Sequence, residues 1–100
     1  MSSGGGTFEF DPDKSAVNAA KQGVDFVQAQ ALWDDGRLIE LGTVIYDQEE
    51  RRLLVGEIDG KRWTAVGTYR GDILRLISVR RARSREEMAY ERGGIRSDVR

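Results

Sequence analysis

Lys61-Arg62-Trp63-Thr64-Ala65-Val66-Gly67-Thr68-Tyr69-Arg70-Gly71-Asp72-Ile73-Leu74-Arg75-Leu76-Ile77-Ser78-Val79-Arg80-Arg81 is the stretch on which the fold turns. Its first ten residues alternate, with Trp63, Ala65, Gly67 and Tyr69 on one face, the period of a half-buried strand. Gly71-Asp72 turns the chain. Ile73 to Arg81 is apolar on both faces, Ile73, Ile77 and Val79 on one and Leu74 and Leu76 on the other, as a central or well-covered strand requires. Upstream, Arg51 to Ile58 reads as another strand, joined to Lys61 through Asp59-Gly60, a strong two-residue hairpin signal. Leu38 to Tyr46, rich in aliphatic and β-branched residues, is a fourth. Connections this short make an antiparallel meander.

The flanks read as helices. Phe8-Glu9-Phe10 alternates and suits a short strand. Asp11-Pro12 then supplies an N-cap acceptor and a proline fitted to the first helical position. The helix should run from Pro12 to about Gln22, with Ala16, Val17 and Ala20 as a narrow apolar stripe and Gly23 as its left-handed stop. Asp25 and Gln28 have capping-box spacing. Phe26, Ala29, Leu32 and Trp33 form the next helical face, ended by Asp34-Asp35-Gly36. Ser84 and Glu87 repeat the capping-box spacing ahead of a short helix to about Arg92. The expected fold is α+β: a small antiparallel sheet of about four strands, two N-terminal helices and one C-terminal helix, with the helices on one face. Residues 1–6 read as a flexible leader, 7–92 as a single domain and 93–100 as a tail. Trp33 and Trp63 are expected in the core.

Composition narrows the chemistry. The chain has 100 residues and neither cysteine nor histidine. Thiol nucleophiles, disulfides and zinc-thiolate sites are therefore excluded, and so is the one side chain that titrates near neutrality unaided. No apolar run approaches the roughly 18 residues of a membrane span. No basic-then-apolar signal opens the sequence, so the expected location is cytoplasmic. Gly4-Gly5-Gly6 lacks the lysine and the strand context of a phosphate-binding loop. The net charge of −1 hides a split. Residues 1–50 hold three basic groups against ten acids, whereas residues 51–100 hold thirteen, all arginine but Lys61, against seven. Six arginines (Arg70, Arg75, Arg80, Arg81, Arg83, Arg85) fall within sixteen residues. Arginine rather than lysine favours planar, bidentate recognition of phosphate or carboxylate.

Element order and motifs together resemble the BrnT toxins of bacterial type II toxin–antitoxin systems, from about Phe8 to Glu91. Phe8-Glu9-Phe10-Asp11-Pro12-Asp13-Lys14 is similar to the family's F-x-W/F-D-P-x-K opening, and Asn18 stands in its usual place. Lys21-Gln22-Gly23-Val24-Asp25-Phe26 resembles K-H-G-V/I-S/D-F, and Phe26 to Asp35 follows F-x-x-A-x-x-V/L-F/W-D-D. Glu49-Glu50-Arg51 is similar to E-x-R ahead of a strand, and Arg75 to Ala82 to R-I-I-S-A-R-x-A. Glu87, Tyr90 and Glu91 are matched to a closing E-x-x-x-Y-E helix. The resemblance implies a RelE-like fold and ribonuclease activity. It also implies neutralisation by a BrnA-type antitoxin whose ribbon-helix-helix domain binds operator DNA, so that the toxin meets DNA only through its partner. Gln22 departs from the family, which has histidine there. An alternative expectation is thus a catalytically attenuated toxin kept for antitoxin binding and operon control.

For metal-independent RNA cleavage, a 2′-hydroxyl attacks its own phosphate. The hydroxyl loses a proton, the phosphorane is stabilised and the leaving oxygen gains a proton. Arginine suits the middle task. Arg51, Arg70 and Arg80, then Arg81, are the expected phosphate contacts. Glu50 and Lys21 are the candidate proton carriers, with Tyr69 and Tyr46 as donors. Consecutive strand residues point to opposite faces, so Arg80 and Arg81 should not share one. No cofactor and no metal site are expected.

Overall fold

The computed structural model describes residues 7–93; the expected leader (1–6) and the tail beyond Gly93 lie outside the described residues. The chain runs β1 (Thr7–Glu9), α1 (Pro12–Gln22), α2 (Phe26–Ala29) with a 3-10 continuation over Gln30–Asp34, β2 (Ile39–Tyr46), β3 (Glu49–Ile58), β4 (Lys61–Arg70), β5 (Ile73–Arg81) and α3 (Ser84–Glu91). The fold is α+β, as the patterning indicates. The sheet, however, has five strands in the order β1-β5-β4-β3-β2 and is mixed rather than antiparallel throughout. β2 to β5 form the meander, and β1 adds to β5 in parallel, Phe8 beside Leu74 and Glu9 beside Arg75. The parallel pairing is possible because both helices and strands β2 to β4 separate β1 from β5 in the chain, a connection far longer than a hairpin.

Local chemistry explains the elements. Asp11 caps α1 by accepting from the Asp13 N–H at 2.9 Å, and Gly23 ends it at φ +88°. Asp25 and Gln28 exchange both capping bonds, at 2.7 and 2.9 Å. Asp59 and Gly60 both take positive φ, the mirror-image turn that suits strand twist. Asp47 and Gln48 do the same between β2 and β3 without a glycine, at some cost in backbone strain.

β5 corrects the face assignment made from alternation. Val66 pairs with Ser78 but Gly67 with Leu76, so Ile77 is an extra, bulged residue. The bulge resets the parity: Val79 joins Leu74 and Leu76 in the core, and Ile77 is left half-buried at the strand's outer side. Gly67, opposite the bulge, is fixed by space, since a Cβ there would stand 2.8 Å from the Arg75 carbonyl oxygen.

The main core lies between this face and α2. Val24, Phe26, Ala29 and Leu32 meet Leu54, Trp63, Ala65, Leu74, Leu76 and Val79. Phe8 meets Trp33 edge to face at 4.9 Å, and Phe10 meets Phe26 at 5.6 Å. α1 does not dock by the expected stripe, because Ala16, Val17 and Ala20 face solvent. Its buried residues are Ser15 and Asn18. The Asn18 amide donates to the Val24 and Val79 carbonyls at 2.8 and 2.9 Å and accepts from the Val79 N–H at 3.1 Å. β1 pairs with β5 only as far as Arg75, so Asn18 supplies the missing partner to that sheet edge. α3 packs on the other face, through Arg62, Thr64 and Arg80, so the helices do not share one side.

Candidate nucleic-acid interface

Register decides which side chains can act together. Glu9 lies beside Arg75, Arg75 beside Thr68, and Arg52 beside Gly67, which sets Arg51 opposite Thr68. Glu9, Arg75, Thr68 and Arg51 therefore form one row across four strands, on the face away from α1 and α2. Arg70 is two residues beyond Thr68 on the same face. Strands spaced about 4.8 Å apart put the Arg51 and Arg75 positions about 10 Å apart. Arg80, opposite Thr64, belongs to the same face but lies four β4 residues away, about 13 Å along the strands. Between them lie Leu53, Val66 and Ser78, all half-buried and uncharged. α3 covers only the Thr64 end.

The expected site residues divide accordingly. Arg51, Arg70 and Arg80 share this face, and Arg75 joins them. Arg81 does not, for alternation turns it to the core side, where its guanidinium stands 5.5 Å from the Trp63 ring centre. Glu50 is exposed and sits on that same far side of β3, away from Arg51. Tyr69 is likewise on the core-side face, with the Arg52 guanidinium 5.3 Å from its ring. Lys21 and Gln22 are exposed at the end of α1. They line a cleft of about 360 Å³ with Lys14, Val17, Asn18, Ile77 and Ser78. The bulge is what brings Ser78 to both the cleft and the arginine face.

The arginines are not equally available. Arg75 pairs with Glu9, which also lies 4.0 Å from Arg70. Arg51 bonds Glu49 through Nε and Nη2 at 3.2 Å. Arg70 projects furthest, with 64% of its side chain exposed. Arg80 is held end-on by Glu86, Nη1 to Oε1 and Nη2 to Oε2, both at 2.8 Å.

Glu86 was missed in the sequence. The Ser84–Glu87 spacing sets the helix start one residue late: the cap residue is Arg83, whose N–H donates to Glu86 at 2.8 Å. An arginine side chain cannot return the bond, so only half of a capping box forms. The closing E-x-x-x-Y-E spacing carried the signal: three residues separate Glu86 from Tyr90 and only two separate Glu87 from it. Glu86 is 7% exposed and also accepts from the fully buried Thr64 hydroxyl at 2.8 Å. The Arg80 guanidinium, more than the burial opposing it, holds the Glu86 carboxyl down at about 2.

A small α+β protein with arginines ranked on one face of its sheet is suited to polyanions. The chain belongs to the BrnT family, ribonuclease toxins of type II toxin–antitoxin systems: the family's profile matches residues 10–86. Among curated proteins no relative matches the sequence. The family defines a ribonuclease toxin and an antitoxin partner. Among the described residues no helix is long and apolar enough to cross a membrane.

Proposed function

We propose that this chain is a metal-independent endoribonuclease whose phosphate-binding surface is the α3-side face of the sheet. The supporting observation is the placement of Arg51, Arg70, Arg75 and Arg80 on that one face, from three different strands. Guanidinium groups held there contact successive phosphates and stabilise charge on the phosphorane. Lys21, at the cleft that Ser78 joins to this face, is the proposed proton carrier. The same basic face is where an antitoxin of the BrnA type, carrying a ribbon-helix-helix domain, docks and excludes RNA. DNA is then contacted only through that partner. The architecture fits the RelE-like toxin group, and the setting is the cytoplasm.

The test is cleavage of RNA in EDTA by protein freed of antitoxin. Arg80→Lys keeps a cation for Glu86 but loses the planar fork, and should lower kcat/KM about 100-fold. Arg70→Ala, at an exposed position, should weaken binding with little effect on folding. Undiminished cleavage by both variants would remove the assignment of this face.

A second reading rests on Gln22, which lines the cleft in place of the family histidine. Glutamine hydrogen-bonds but carries no proton at neutral pH. If RNA cleavage emerges only in Gln22→His, the native chain is the attenuated form, acting in antitoxin binding and operon control.

A further inference from the structure

We infer that Glu86 is a positioning residue, setting the orientation in which the Arg80 guanidinium meets RNA; this rests on the proposed role of Arg80. Arg80 offers five N–H donors. Nη1 gives its two to Glu86 Oε1 and the Arg81 carbonyl, and Nη2 gives one to Glu86 Oε2. The Nε–H and the second Nη2 hydrogen, which form the side edge of the fork, have no partner among the described residues. That edge matches two oxygens of one phosphate. Glu86 thus occupies the end of the guanidinium and leaves its side for a ligand, with 22% of the Arg80 side chain still exposed.

The carboxylate is itself clamped. It accepts from Thr64 on β4 and from the Arg83 N–H at the start of α3. Thr64 is fully buried on β4, the central strand, so its hydroxyl is anchored within the hydrogen-bonded sheet. The chain of contact runs from the sheet through Thr64 and Glu86 to Arg80, each link at 2.8 Å. A long cation fixed at its far end presents donors at one angle, and pre-organisation of that kind contributes to kcat more than to binding.

The test compares Glu86→Gln, Thr64→Val and Arg80→Lys with wild type for RNA cleavage in EDTA. Circular dichroism confirms folding, and fluorescence anisotropy gives Kd for a non-cleavable 2′-deoxy analogue of the RNA. Glu86→Gln keeps the acceptor for Thr64 and Arg83 but loses the paired oxygens and one negative charge. It should lower kcat about tenfold while Kd stays constant or falls, because the face becomes more positive. Thr64→Val, which leaves the ion pair and the Arg83 bond but removes the tie to the sheet, should lower kcat about threefold at unchanged Kd and serves if the first variant does not fold. A carboxylate that only neutralises Arg80 would give tighter binding and unchanged kcat, and that result overturns the inference. If Arg80→Lys is slow while the other two variants turn over like wild type, positioning fails and the role of Arg80 stands. If Arg80→Lys cleaves like wild type, or wild type does not cleave, both fall.

Discussion

Tyr90 shows how much one side chain holds. It is one of two buried residues on α3, and its hydroxyl donates to Asp35 Oδ2 at 2.6 Å. The Arg37 and Arg62 guanidiniums each lie 5.0 Å from the ring centre. Asp35 also accepts from the N–H groups of Arg37 and Glu57, both at 2.9 Å. Burial raises the Asp35 carboxyl, but these bonds outweigh it and the net shift is downward. Burial, then the Asp35 carboxylate, pushes the Tyr90 hydroxyl up to about 12. A raised folded pKa gives stability that is whole below about pH 10 and lost as pH climbs towards 12. Glu86 acts in the opposite sense. Its depressed pKa gives stability that is whole above about 4.5 and lost as pH falls towards 2. Urea midpoints measured across pH should therefore fall at both limits. Tyr90→Phe should flatten the alkaline limb and cost about 1 kcal/mol at neutral pH, and Glu86→Gln should flatten the acid limb. An unchanged pH profile in either variant would show that its group is not coupled to folding.

At the scale of elements, the strands and turns were legible because their signals are local. Alternation marks β3 and β4, and Asp59-Gly60 carries the mirror-image turn. What was not legible depends on contacts distant in sequence. The parallel addition of β1 joins residues 66 positions apart in the chain, Thr7 to Ile73. The bulge at Ile77 lies opposite Gly67, where the two backbones approach closely, and no periodicity announces an extra residue. α1 misled for a related reason: its apolar stripe is exposed, and it is held by a buried asparagine that repairs a broken sheet edge. Asn18→Ala should leave the Val79 N–H and two carbonyls unpaired and cost about 3 kcal/mol. A Ser15→Ala change, which loses only the bond from the Phe26 N–H at 2.9 Å, should cost about 1 kcal/mol. Denaturant unfolding checks both, and equal costs would refute the edge-repair role of Asn18. Among the proposed phosphate contacts, charge and strand position mark Arg51, Arg70 and Arg80 in the sequence. Arg81 and Glu50 were separated from them by parity alone.

For the whole molecule, the charge split along the sequence is partly healed by the fold. Acids from the first half meet arginines from the second, between neighbouring strands for Glu9 with Arg75 and Glu40 with Arg52, and along β3 for Glu49 with Arg51. These pairs are at least partly exposed, so water and salt screen them and each contributes little to stability. On the proposed function their larger effect is on binding, because a phosphate must compete with a carboxylate already in place. Each phosphate neutralised on single-stranded RNA contributes about −0.7 to the slope of log K against log salt. Three or four arginines on one face predict a slope of about −2 to −3. Arg70, the most exposed of them, should contribute fully, so Arg70→Ala should make the slope shallower by about 0.7. Arg81 carries the same charge and is eleven residues along the chain, but it lies against Trp63 on the other face. Arg81→Ala should therefore leave the slope unchanged. Anisotropy titrations of labelled RNA between about 50 and 300 mM salt separate the two. Equal slopes for the two variants would mean that RNA responds to net charge and not to the face, because net charge is the same in both.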